Sequence, residues 1–482
     1  MTSETFIATV AIVGLVIAVS TLLSGAIDRS GVPHAAVFLL LGLMLGPHGV
    51  GVLDVGLGSP ILRVVATLSL VLVLFTDALG LDLAEVRRHI GLAFRVLVPG
   101  TLSTAAIAAL AAWWLLGLAP PAAAVLGAAL ASTDPVLLRG MLRRPDLPDS
   151  ARLALRLESG LNDVVLLPIA LGAMSLMGSA APAWGRLVVD VLLLGPVAGV
   201  LVGLLAVSVL AGFRRRTGIR RDYESLYSLG VAFSAFAAAE AVHGSGYLSA
   251  FAAGLTILYL DVELCDCFLE YGETTAEMAL MFSFVLFGTS LLWTGLGEID
   301  GRTALFAAIV LAIRPAVFLI ALAGSGLSRG PRLMVSWFGP RGLSSLLLVA
   351  LPAFAGMPGA ERLLHLCGVV VIASVVVHGA SLVLLARRGR IRAAMAAPAA
   401  AAPSALAPAR PEPGGETITI DELRALRESG APVVVADVRT ERSARSSELA
   451  ATGAVRIDPD RAVEDTRALS LPTDATIALY CA

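Results

Sequence analysis

Lysine is absent from this chain; all 35 basic side chains are arginine. Charge of either sign is scarce. Only 15% of the 482 residues are charged, against about a quarter in soluble domains, which excludes an ordinary soluble globular chain. The formal net charge is −2, so no basic excess is available to neutralise phosphates and a nucleic-acid partner is excluded. Four scattered cysteines are too few for a disulfide framework. Cys265 and Cys267 flank Asp266 without a second pair of ligands, so a structural zinc site lacks half its donors. The first apolar run, Phe6 to Leu23, lacks a basic n-region and a small-residue cleavage site. It reads as a transmembrane helix rather than a cleaved signal peptide.

Hydrophobic length is what the chain has in quantity, with 57% apolar residues and a mean hydropathy of +0.85. A bilayer is spanned by about 20 apolar residues. Thirteen runs qualify: 6–24, 34–50, 60–80, 91–117, 121–141, 150–177, 186–212, 225–242, 246–262, 276–294, 303–324, 331–354 and 364–386. Arginines cluster in alternate loops, among them Arg87, Arg88 and Arg95, then Arg139, Arg143, Arg144 and Arg152, then Arg214 to Arg216. Arginine-rich loops stay cytoplasmic. The expectation is a multi-pass protein of the plasma (inner) membrane, with its N-terminus outside and its C-terminal segment in the cytoplasm.

Ionisable groups interrupt these runs at a few places. Glu158-Ser159-Gly160-Leu161-Asn162-Asp163 lies in an otherwise apolar stretch. A carboxylate at mid-membrane costs roughly 2.5–3.5 kcal/mol on insertion scales, so each one marks a functional position by default. Glu158 and Asn162 are four apart and share a helix face; Asp163 is rotated further round. A second stretch holds Ser132-Thr133-Asp134-Pro135. Proline removes a backbone donor and disfavours helix in the residue before it. A helix broken near Asp134 frees carbonyls beside a carboxylate, which suits a hard monovalent cation. The simpler alternative is a short loop with an Asx-type turn.

Two arginines match these acids. Arg314 interrupts Ile309 to Leu322, and Arg341 lies in Gly339-Pro340-Arg341-Gly342. Glycine and proline around Arg341 predict a second broken helix. Interrupted helices in corresponding halves point to two inverted repeats with the binding site between them.

Residues 393–416 are rich in alanine and proline and read as a linker. Beyond it, Ile420 to Glu428 reads as a short capped helix, and Pro432 to Val438 and Ala475 to Tyr480 as strands. The expected division is a membrane domain over 1–390, the linker, and a small α/β domain over 417–482.

The residues quoted above, with His243-Gly244-Ser245-Gly246-Tyr247-Leu248, resemble the monovalent cation:proton antiporter-1 family, the NhaP-type sodium/proton exchangers, from residue 1 to about 390. The resemblance implies an all-α polytopic fold of 13 helices with two inverted repeats and crossing broken helices, a homodimer and an elevator mechanism. It implies that Asp163 binds cation and proton in turn. Asp134, Asn162, the Thr133 backbone and Ser159 complete the ion shell, so Asp163 and Asp134 are the carboxylates for a transported sodium ion. Glu158 and Arg314 form a buried structural pair, and Arg341 offsets charge where the broken helices cross. One departure stands out: where many relatives have Leu-Phe-Glu-Gly-Gly-Leu, this chain has Leu74-Phe75-Thr76-Asp77-Ala78-Leu79. Asp77 is therefore a candidate ligand displaced by one position, about 100° around a helix.

The tail resembles the start of a rhodanese-like domain through Ile420-Asp421-Glu422-Leu423, Val435-Ala436-Asp437-Val438-Arg439 and Leu479-Tyr480-Cys481-Ala482. In that family the cysteine opens a loop that cradles sulfur or an oxyanion. One residue follows Cys481 here, so the expectation is either a truncated sequence or an incomplete accessory module without chemistry.

The functional expectation is therefore exchange of sodium or lithium for protons, which the resemblance, with Asn rather than a second Asp at 162, implies to be electroneutral, serving pH homeostasis without an enzymatic reaction or a resident cofactor. Its partners are monovalent cations, protons and the lipid bilayer. The alternatives are a potassium/proton antiporter, a membrane-tethered sulfurtransferase and an ion-binding sensor.

Overall fold

The computed structural model describes residues 34–47, 49–53, 55–56, 59–142, 147–178, 189–216, 221–260, 274–289 and 299–396, with 432–438, 453–457 and 476–480 and a few scattered positions besides. The chain forms two compact units, Met1–Arg392 and Ala393–Ala482. Of the run 6–24 only Gly14 and Leu22 are described, and Cys481 lies outside the described residues.

The first unit is helical. Its elements are α1 (His34–Leu45), α2 (Pro60–Leu79), α3 (Ile90–Leu116), α4 (Pro120–Ala131), α5 (Pro135–Leu142), α6 (Asp149–Met177), α7 (Gly195–Arg216), α8 (Arg221–Ala241), α9 (Gly246–Leu260), α10 (Thr274–Thr289), α11 (Gly301–Ala321), α12 (Arg329–Trp337), α13 (Leu343–Phe354) and α14 (Ala360–Ala396). Six helices among the described residues are long and apolar enough to cross a membrane. The expected runs 121–141 and 331–354 are each two short helices, α4 with α5 and α12 with α13. Extended backbone separates them, as the prolines and glycines predict.

Local chemistry sets the starts of α2 and α11. The Ser59 hydroxyl caps α2, and Pro60 occupies the first helical position. Asp300 caps α11, its carboxylate accepting the Thr303 N–H at 2.7 Å. That bond holds the Asp300 carboxyl below its ordinary range. Two features depart from the sequence reading. Helix α3 carries a π-helical turn over Val96–Leu102, where Pro99 withholds its donor. Helix α14 continues to Ala396, into the stretch read as linker, because alanine is the best helix former and Pro398 comes later.

Packing within the bilayer gains nothing from hiding one apolar surface against another, so close backbone approach matters more. Gly195, Gly199 and Gly203 form a stripe on α7, four residues apart. A Cβ on any of them would meet α9 or the loop before it, at Ser245, Ser249 or Ala253 and Thr256 respectively. In turn, Ser249 donates to the Ala235 carbonyl of α8 at 2.7 Å, so α7, α8 and α9 form one panel.

The second unit contains a three-stranded parallel sheet: β1 (Val433–Asp437), β2 (Val455–Arg456) and β3 (Thr476–Tyr480), in the order β2-β1-β3. Two of these strands match the runs read at 432–438 and 475–480.

Gly199→Val should separate α7 from α9 and cost about 1–3 kcal/mol, the usual range for overpacking. Thermal unfolding of the purified protein in detergent measures this. An unchanged midpoint would show that the stripe tolerates side chains.

Candidate functional site

The two breaks meet. Helix α4 ends at Ala131, and Ser132 turns to extended backbone. The last carbonyls of a helix have no intrahelical donor, and here Ala131 and Ser132 are buried. Arg341 supplies the donor, its Nη1 lying 2.9 Å from the Ala131 carbonyl oxygen and 3.1 Å from that of Ser132. The reciprocal contact runs the other way. Asp134 Oδ2 accepts the Leu343 N–H at 2.7 Å and so caps the start of α13. The Asp134 N–H donates to the Pro340 carbonyl at 3.0 Å. Both charged residues are almost wholly buried, Arg341 at 2% and Asp134 at 1% exposure. The glycines of the second break are required by proximity. A Cβ at Gly339 would overlap the Arg314 guanidinium, and one at Gly342 the Asp134 carboxylate.

Beside the crossing lies the buried ion pair. Arg314 meets Glu158 through both ends of its fork, Nη1 to Oε1 and Nη2 to Oε2, the latter at 2.6 Å. Arg314 Nη2 also donates to the Val335 carbonyl at 3.2 Å and to that of Phe338 at 3.0 Å, which satisfies the end of α12. Its guanidinium sits 4.1 Å from the centre of the Phe318 ring. Thr133 connects the two arrangements. Its hydroxyl donates to Glu158 at 2.7 Å and accepts from Arg314 and Arg341, each at 3.3 Å.

Asp163 sits one position beyond Asn162 on α6 and differs from Glu158 in what is left over. Ser132 donates its hydroxyl to Asp163 Oδ1 at 2.6 Å. The other oxygen, Oδ2, is buried and has no protein donor among the described residues. Asn162 donates to the Thr133 carbonyl at 3.2 Å, and its own Oδ1 is likewise buried without a donor. Two orphaned acceptors side by side in the sequence are suited to a proton or a cation, since neither oxygen can donate. Ser159, also buried, lies one turn before Asp163 on the same face of α6. A cavity of about 790 Å³ reaches Leu171 and Met174 of the same helix, with Arg63, Asp190, Glu240 and Tyr247 on its walls. Leu167, one turn from Asp163, is buried between these levels of α6.

The structure thus brings Thr133, Asp134, Glu158, Asn162, Asp163, Arg314 and Arg341 into one connected cluster. Asp134 uses both carboxylate oxygens on backbone donors, Leu343 N–H and, at 3.4 Å, Leu137 N–H. Asp77 is half-buried on α2, next to Thr76, whose hydroxyl turns back to the Leu72 carbonyl at 2.8 Å. Sequence reasoning missed Ser132, though it stands in the quoted motif, and also Ser374 and His378. The one available signal for His378 was an ionisable side chain inside an apolar run.

Half-helices that cross inside a bundle, with carboxylates and arginines buried at the crossing, define the core of a membrane transporter. The chain belongs to the family described as sodium/hydrogen exchanger, transmembrane, which matches residues 15–388; its members are transporters rather than enzymes. Among curated relatives, the K(+)/H(+) antiporter NhaP2 of Shewanella sp. strain MR-4 is 27% identical over 384 residues, covering 78% of this chain and 66% of the relative. The K(+)/H(+) antiporter NhaP of Alkalimonas amylolytica is 24% identical over 384 residues, covering 79% of this chain and 66% of that protein. The chain therefore spans just under two thirds of the length of these relatives. Among solved structures, the sodium proton antiporter MjNhaP1 from Methanocaldococcus jannaschii at pH 8 superposes with a TM-score of 0.62 at 20% identity, covering 78% of this chain and 99% of that one. The fold is shared.

Glu158→Ala and Arg314→Ala should each destabilise by about 3–5 kcal/mol, because each leaves an uncompensated buried charge. The double variant should lose less than the sum. Thermal melts of the four proteins test this, and strictly additive losses would mean that the pair is not energetically coupled.

Proposed function

We propose that this chain is a secondary antiporter that exchanges a monovalent cation for protons across the plasma membrane. The observation that carries this is Asp163, a buried carboxylate with one oxygen held by Ser132 and the other without a protein donor. A cation needs that carboxylate deprotonated, so proton and cation compete for one position. Competition at a single carboxylate, with a neutral amide at 162, supports electroneutral one-for-one exchange. Asn162, Ser159 and the Thr133 backbone supply the remaining oxygens. Asp134 acts on the ion mainly through the helix end it caps, and Asp77 remains a further candidate.

Sodium or lithium is the proposed cation, supported by the family description and by the name of the MjNhaP1 neighbour. Potassium is the second reading, favoured by the names of the NhaP2 relatives. The proposed architecture is 13 spans in two inverted repeats, with α4–α5 and α12–α13 as counterparts in a moving core. It works as a homodimer, with the N-terminus outside and the C-terminus in the cytoplasm. The tail is proposed as a rhodanese-like accessory module, its parallel sheet being the supporting feature.

Asp163→Asn should abolish exchange in everted vesicles followed with a pH-sensitive dye, while the protein still inserts. Challenge with sodium, lithium and potassium in turn assigns the cation. Exchange at the wild-type rate in this variant would remove Asp163 from the mechanism.

Deleting residues 395–482 should leave exchange in the same vesicles, and Cys481→Ser should leave the rate unchanged. A deletion variant that inserts normally yet fails to exchange at every pH would make the tail part of the transport machinery.

A further inference from the structure

We infer that His378 is a positioning residue, which caps the broken end of α12 and, through Ser374, fixes the backbone at Arg341. The reasoning starts from the carbonyls that the break leaves over. Helix α12 ends at Trp337, and Phe338 leaves it in extended conformation. Carbonyls in this last turn need donors from elsewhere, and the bundle interior offers no bulk water. Arg314 serves Val335 and Phe338. The Trp337 carbonyl faces His378 Nε2 at 3.1 Å, so that nitrogen carries the hydrogen. The Trp337 indole N–H adds a second tie to α14, donating to the Ser381 hydroxyl at 3.2 Å.

The other ring nitrogen faces Ser374, one turn back on α14. Nδ1 lies 3.1 Å from the Ser374 hydroxyl and 2.9 Å from its carbonyl oxygen. A neutral ring accepts from the hydroxyl, and a protonated ring donates to the carbonyl. The Nε2–H tie to Trp337 is kept in either protonation state, and the tie through the Ser374 hydroxyl is that of the neutral ring, whose role is positional. The Ser374 hydroxyl in turn accepts the Arg341 N–H at 2.8 Å. Arg341 grips the Ala131 and Ser132 carbonyls, and the Ser132 hydroxyl holds Asp163. One side chain on α14 thus ties both sides of the break in α12–α13, and the last link of the series is the candidate exchange carboxylate. That last link rests on the antiport reading above.

The test uses the full-length protein in everted vesicles, with sodium and with potassium as the driving ion. Glutamine offers one donor for Trp337 and one acceptor for Ser374. His378→Gln should therefore keep the apparent KM within about twofold of wild type, as expected when both partners stay satisfied, with an unshifted pH profile. His378→Leu keeps bulk but strands a buried carbonyl, and should raise the KM by about tenfold. Ser374→Ala should move the KM in the same direction. Thermal melts of His378→Leu, Ser374→Ala and the double variant should show losses smaller than additive, since the two act in series.

A wild-type KM in His378→Leu, or additive thermal losses, overturns the proposal. So does a displaced pH profile in His378→Gln with KM unaltered, which would make His378 a proton site. If His378→Leu fails to insert, Ser374→Ala and His378→Gln carry the kinetic test. The thermal cycle reads the network whether or not the chain exchanges cations. Loss of the antiport reading, seen as full exchange in Asp163→Asn, is therefore distinguishable from loss of this one.

Discussion

Helix ends that would be stable at a protein surface are buried here at the centre of a bundle, and the structure depends on how they are satisfied. A helix terminus carries about half an elementary charge, positive at its start and negative at its end. The end of α4 meets the Arg341 guanidinium, and the end of α12 meets that of Arg314. The start of α13 meets the Asp134 carboxylate. Each charge sits against a terminus of the opposite sign, and each also fills a hydrogen bond that water cannot supply. Thr133 joins the arrangement to the Glu158–Arg314 pair, because one hydroxyl contacts Glu158, Arg314 and Arg341.

That saturation is what makes Asp163 distinct. Glu158 spends both oxygens on Arg314, and Asp134 spends both on backbone donors. Asp163 keeps one oxygen without a protein donor although it lies only five residues from Glu158 on α6. A buried acceptor of this kind is costly unless something else occupies it. A rigid, fully bonded frame can tolerate one such position, and the chemistry of exchange needs one.

The rest of the first unit packs by different rules. The α7–α9 contact is made of glycine, alanine, serine and threonine, and works by close backbone approach. The crossing works by charge and directional hydrogen bonds. The first kind of contact gives a continuous panel. The second concentrates polar groups at one point, and its fixed geometry explains why Gly339 and Gly342 flank Arg341.

Much of this was legible in the chain itself. Long apolar runs are a one-dimensional property set by bilayer thickness, so the six helices long and apolar enough to span it could be read directly, with their approximate bounds. Proline and glycine act on their own backbone, so both breaks were visible as Asp134-Pro135 and Gly339-Pro340. An ionisable group in an apolar run is conspicuous wherever it lies, which singled out Glu158, Asp163, Arg314 and Arg341. The π-helical turn at Val96–Leu102 and the extension of α14 to Ala396 were not read, because tertiary packing and alanine propensity outweigh the periodic signal there.

Pairings are the part that no residue shows by itself; the Glu158–Arg314 pair was expected only from the family resemblance, and its contacts come from the tertiary structure. Arg314 lies 156 residues from Glu158 in sequence, and Arg341 lies 209 from Ser132. Nothing local says which arginine takes the carboxylate and which takes the helix end. The same holds for Asp134, expected in the ion shell from the family resemblance and placed by the fold with its Oδ2 on the Leu343 N–H. Ser132 and His378 gain their roles only from the atom opposite; for His378 the chain offered no more than an ionisable side chain in an apolar run. Sequence determines which groups are too costly to bury alone. The fold determines which partner relieves each of them, because hydrogen-bond distance is a property of three dimensions.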